Sequence, residues 1–91
     1  MMTPIALVLK KDGVEMHTMK GYVASCFNTS AEPREHQAIK SGLGILEMEI
    51  ASGRADRALR DFTSIVVGSG PDKKEIARAD LIKAGIVTRR P

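Results

Sequence analysis

The sequence predicts an α+β domain in which an N-terminal antiparallel β-hairpin, or a three-stranded meander, is followed by three helices. Three observations carry that expectation. A β-branched and aliphatic run, Ile5 to Leu9, is followed by an Asp-Gly turn signal and a second extended run. Apolar residues then recur at helical spacing from Ile39 onward. Glycines at 53, 68 and 85 punctuate the rest of the chain where helices would stop.

The first strand spans about residues 5–10. Lys11-Asp12-Gly13 supplies a tight turn, because Asp-Gly accepts the positive φ angles of a type I′ hairpin. The return strand spans about 14–20. Its alternation puts Val14, Met16 and Thr18 on one side and Glu15, His17 and Met19 on the other. Residues 22–27 fit either a third strand or a short helix.

A first helix is expected over about 31–52. Thr29 and Glu32 have the spacing of a capping box, Pro33 is tolerated in a first turn, and Ile39, Leu43, Leu46 and Ile50 form an apolar stripe. A second helix fits about 55–67. Ala55, Ala58, Leu59, Phe62, Ile65 and Val66 share its inner face, and Asp56–Arg60 and Arg57–Asp61 pair at four-residue spacing. A third fits about 72–84, capped by Asp72 with Glu75. Its inner face is Ile76, Ala79, Ile82 and Ile86, and Gly85 is its stop. A basic tail follows at 87–91.

Ninety-one residues make a single domain spanning 1–91, with an aliphatic core: 43% of the chain is hydrophobic, yet the only aromatics are Tyr22, Phe27 and Phe62. The single cysteine, Cys26, cannot close an internal disulfide, so stability must come from packing. A lone thiol and the lack of a signal-like or membrane-spanning run point to a cytoplasmic protein with no membrane association.

Ser64-Ile-Val-Val-Gly-Ser-Gly-Pro71 has the outline of a strand running into a phosphate loop. The chemistry of such loops is missing. Lys73 stands where a dinucleotide fingerprint needs its third glycine, no second strand follows, and a P-loop would need Gly-Lys-Ser/Thr. The expected reading is a corner between the second and third helices, with no cofactor.

Catalytic and metal-binding groups do not converge in the pattern. Cys26 with His17 or His36 forms neither a nucleophile motif nor the close ligand pairs of a zinc site. Glu47 and Glu49 are two apart on a helix and diverge. No enzyme is expected. Gly42 and Gly44 are different: glycine inside a helix costs up to about 1 kcal/mol against alanine, which suggests a close approach there by another helix or by a partner.

The net charge is +3, and it is concentrated at one end. Lys73, Lys74, Arg78, Lys83, Arg89 and Arg90 stand against only Glu75 and Asp80 beyond residue 72, a local excess of +4. Two functions follow as expectations. The first is a small protein-binding accessory, inhibitor or adaptor, of a size that suits a phage or mobile-element protein, with a hairpin edge and Met16, Met19 and Met48 available for contact. The alternative is a nucleic-acid-binding regulator that uses those six cations. A homodimer through the hairpin edge or the Ile39–Ile50 stripe is a further option.

Overall fold

A computed structural model of the chain describes residues 2–24 and 32–88. It is α+β, with strand β1 (Met2–Lys11), strand β2 (Val14–Ala24), helix α1 (Arg34–Ala51), strand β3 (Ser64–Val67), strand β4 (Lys74–Ala77) and helix α2 (Arg78–Lys83). The four strands form one antiparallel sheet in the order β2-β1-β3-β4. Because β2 and β3 both run antiparallel to β1, they are parallel to each other, and α1 connects them across the strand between.

The hairpin is built by its turn. Asp12 (φ 51°) and Gly13 (φ 83°) hold the left-handed conformations that a type I′ turn requires. β2 continues through Lys20 and Gly21 as one strand to Ala24, so there is no separate third strand beginning at 22; residues 25–27 lie outside the described residues. Pro4 is accommodated in β1 because the ladder with β3 covers only Leu7 to Lys10.

A bulge changes which face of β2 is inside. Leu9 pairs with His17 and Lys10 with Glu15, leaving Met16 as the extra residue. Met16, Met19, Gly21 and Val23 therefore pack toward the core, whereas Val14 and Thr18 are exposed, the reverse of the expected alternation for Thr18 and Met19.

α1 begins at Arg34, later than expected. Pro33 occupies its N-cap without a side-chain hydrogen bond, and Glu32 pairs with Lys40 (2.7 Å). Thr29 lies outside the described residues. The helix ends in a Schellman motif: Arg54 N–H donates to the Glu49 carbonyl, Gly53 N–H to that of Ile50, and Gly53 sits at φ 81°. Ala38, Ile39, Gly42, Leu46 and Ile50 face the sheet.

The second half departs most from expectation. Two α-helices, not three, are present among the described residues. The expected helix at 55–67 is a 3-10 turn, Arg57–Asp61, capped by the Asp56 carboxylate on Ala58 N–H, followed by β3. The Asp56–Arg60 pair is replaced by Arg60 with Glu47, whose carboxylate takes two guanidinium nitrogens. The expected helix at 72–84 divides into β4 and the six residues of α2. Glu75 is thus a strand residue and no cap, Ala79 is exposed, and Leu81 is the buried anchor of α2. Gly85 (φ 77°) does end α2, again in a Schellman motif with Ile86 N–H bonded to Leu81.

The corner at Gly68–Lys73 joins two strands, not two helices. β3 and β4 are hydrogen-bonded neighbours, and Gly68 (φ 91°) and Gly70 (φ 66°) provide the left-handed turns of the loop. One core results: Leu7, Leu9, Ile65, Val67 and Ile76 from the sheet meet Ile39, Leu46 and Ile50 from α1, with Phe62 and Leu81 closing one end.

Candidate partner-binding surfaces

α1 covers one face of the sheet, mainly at β2, and the other face carries no helix of the described residues. The register puts Ala6, Val8 and Lys10 of β1, Thr18 and Lys20 of β2, Ser64 and Val66 of β3, and Glu75 of β4 on that outer face. Ala6, Val8 and Val66 form an aliphatic centre that is only half-buried. Its rim is polar. The Ser64 hydroxyl donates to the Glu75 carboxylate (2.7 Å), and Lys10 Nζ stands 3.5 Å from the same group. The hydroxyl bond first, and the lysine charge second, hold the Glu75 carboxyl below its ordinary value. A shallow groove of about 280 Å³ runs here between Val8, Glu15, Val66 and Lys73.

A second groove, about 290 Å³, lies between the outer edge of β2 and α1, lined by His17, Thr18, Met19, Lys20 and Ile45 among others. Ile45 is 38% exposed and Met48 on the same helix is 71% exposed. A third cleft, about 390 Å³, opens between the first turn of α1 and the β3–β4 hairpin. Arg34 and Lys74 at its walls are matched by Glu35 and Asp72, so it offers no net charge to an ion.

Of the six cations singled out in the sequence, the four among the described residues are divided among a loop, β4 and α2. Lys73 ends the loop before β4, Lys74 lies on β4 opposite Val67, and Lys83 is in the last turn of α2. Arg89 and Arg90 lie outside the described residues. Arg78 is already engaged. One guanidinium nitrogen donates to the carbonyls of Arg60 and Phe62, each at 2.8 Å, and the group lies 4.5 Å from the centre of the Phe62 ring. It clasps the 3-10 turn to α2, and a phosphate would have to displace those bonds.

The glycines separate in the same way. A Cβ at Gly42 would run into the Leu7 side chain and come within 3.3 Å of Met19, so the close neighbour there is the chain's own sheet and not another helix. A Cβ at Gly44 would have nothing within 4 Å. The tightest approach is at Gly21, where a Cβ would collide with the backbone carbonyl of Ala38. Helical spacing draws attention to 42 and 44; Gly21 lies in a strand, and only the packed helix reveals it.

Cys26 lies outside the described residues, which leaves its pairing with His17 or His36 without a geometry. Among the described residues no three acidic, histidine or cysteine side chains cluster to hold a metal, and no helix is long and apolar enough to cross a membrane. Compared with known proteins, the chain matches no family description, no curated protein and no solved structure.

Proposed function

We propose that the chain is a small non-enzymatic protein-binding module, an accessory or inhibitor that acts by occupying a partner's surface in the cytoplasm. The outer face of the sheet, which carries no helix of the described residues, supports this reading. An antiparallel sheet with one face on its core usually alternates to polar residues on the other, but here the centre of that face is Ala6, Val8 and Val66. The fitting partner presents apolar side chains at the centre and a carboxylate opposite Lys73. The nucleic-acid alternative retains Lys73, Lys74, Lys83, Arg89 and Arg90, but loses Arg78 to the carbonyl clasp.

The test compares the natural chain with Val8→Glu, which places a charge at the middle of the outer face. After nuclease treatment, affinity capture from the native cell should recover a protein with the natural chain and not with Val8→Glu. A titration against duplex and single-stranded nucleic acid at about 50 and 200 mM salt provides the opposing arm. Micromolar binding that falls steeply across that range, unchanged by Val8→Glu, replaces the protein-binding reading with the alternative.

A further inference from the structure

The edge strand β2 is eleven residues long, and its backbone phase is fixed by bonds at three places. Tyr22 N–H donates to Ser41 Oγ, away from β1. On the far side of β1, the carbonyls of Ala6 and Lys10 accept from Gly68 and Thr63. Even-numbered residues of β1 thus point their polar backbone groups toward β3, so their antiparallel partners on β2 point outward. Those partners are Lys20 opposite Ala6 and Thr18 opposite Val8; the bulge at Met16 adds Glu15, opposite Lys10. The outward N–H groups of Thr18 and Lys20 find no partner among the described residues.

We infer that two copies of the chain pair antiparallel along β2 about a twofold axis at Thr18, joining two four-stranded sheets into one of eight strands. In this register Thr18 faces the partner's Thr18, Met19 faces the partner's His17, and Lys20 faces the partner's Glu15 across the bulge. It repeats the register in which β1 already meets β2, where Val8, Leu9 and Lys10 stand opposite Thr18, His17 and Glu15. Lys20 takes toward the partner's Glu15 the place that Lys10 takes within the chain.

The edge is therefore complementary to itself in three respects. The outward-facing backbone groups match: Thr18 with Thr18, and Lys20 with Glu15. Both opposed pairs lie on the outer face, since Lys20 stands with Ala6 and Glu15 with Lys10. Threonine opposite threonine and lysine opposite glutamate are favourable cross-strand pairs, and the twofold axis makes the charged pair twice. On the inner face, Ile45 and Met48 are the exposed apolar residues of α1, and Ile45 lines the groove beside this edge, so it comes to flank the axis in both copies. The proposal rests on the backbone edge of β2 and is read by self-association, whereas the function proposed above rests on the aliphatic centre at Ala6, Val8 and Val66, so each stands or falls apart from the other.

Analytical ultracentrifugation of the full chain at about 100 µM is the direct test, with circular dichroism to confirm the fold of each variant. The natural chain should sediment as a dimer. Thr18→Pro removes the N–H at the axis without removing a bond within the sheet, and should be monomeric. Lys20→Glu sets like charges opposite each other twice and should weaken dimerisation about tenfold; adding Glu15→Lys should restore it. A monomeric natural chain overturns the proposal, as does a dimer that survives Thr18→Pro. If Thr18→Pro fails to fold, the charge pair decides: loss with Lys20→Glu and recovery in the double variant support the register, and indifference to both refutes it.

Discussion

In the first half of the chain, β1, β2 and α1 run for 10, 11 and 18 residues, and they meet where side chains are absent: Gly21 lies under the Ala38 carbonyl, and Gly42 lies over Leu7. From Asp56 to Lys83 no element exceeds six residues, and the joints are polar: the Asp56 cap, the Arg60–Glu47 pair, the Arg78 clasp and the Ser64–Glu75 bond. The difference follows from length. A long strand and a long helix bury enough apolar surface to be held mainly by close packing, with the Tyr22–Ser41 bond beside it. Four-residue strands and single turns do not, so directional bonds must fix where they sit.

The largest expected effect is on the packed half. Gly21→Ala drives a methyl group into a helix carbonyl, with backbone on both sides of the contact and no flexible side chain to yield. Urea unfolding should show a loss of about 3 kcal/mol. Gly44→Ala has open space around it and removes a poor helix former, so it should gain up to about 1 kcal/mol. Equal effects at 21 and 44 would mean that the absence of a side chain does not set the distance between helix and sheet.

Arg78 makes the corresponding test of the polar half. Arg78→Met keeps the length of the side chain but leaves the carbonyls of Arg60 and Phe62 without that donor, and should cost about 2 kcal/mol in the same assay. Arg78→Lys should recover less than half of the loss. An ammonium group can donate to two carbonyls from one nitrogen, as Arg78 does, but it lacks the flat guanidinium that lies on the Phe62 ring and fixes that nitrogen in place. Full recovery with lysine would show that only charge matters at this joint.

The same contrast in length decides what could be read from the residues. Asp12-Gly13 names its turn, and the stripe Ile39, Leu43, Leu46, Ile50 repeats over enough turns to specify a helix, so the hairpin and α1 are legible. Ser64 to Val67 is too short to distinguish a period of 2 from one of 3.6, and Ala55, Leu59 and Phe62 before it extend a plausible helical face. The signal that favours a strand is composition: Thr63, Ile65, Val66 and Val67 are all β-branched. Other features have no local signal. The bulge at Met16 inverts a face, the partner of Gly21 lies 17 residues away, and Arg78 reaches carbonyls 16 and 18 residues earlier in the chain. Of the candidate surfaces, the hairpin edge could be anticipated, but the outer face of the sheet could not, because it depends on β3 joining β1.

The smallest effect, and the sharpest on mechanism, is that of Glu75. Its carboxylate accepts from Ser64 and faces Lys10, so its folded-state value lies below the ordinary value of about 4.5. A carboxyl group depressed on folding contributes stability above its unfolded value and loses that contribution as the pH falls through the folded one. The polar half should therefore loosen on acidification below about 4.5, before any effect specific to the glycine-packed half. Hydrogen exchange at the β3 and β4 amides, measured between neutral pH and mild acid, reads this locally. Protection at β3 and β4 should fall more than at α1, and Glu75→Gln should abolish the excess by removing the titrating group while keeping an acceptor for Ser64. If β3, β4 and α1 lost protection together, the two halves would open as one cooperative unit, and the division between a packed half and a bonded half would describe the contacts without describing the stability.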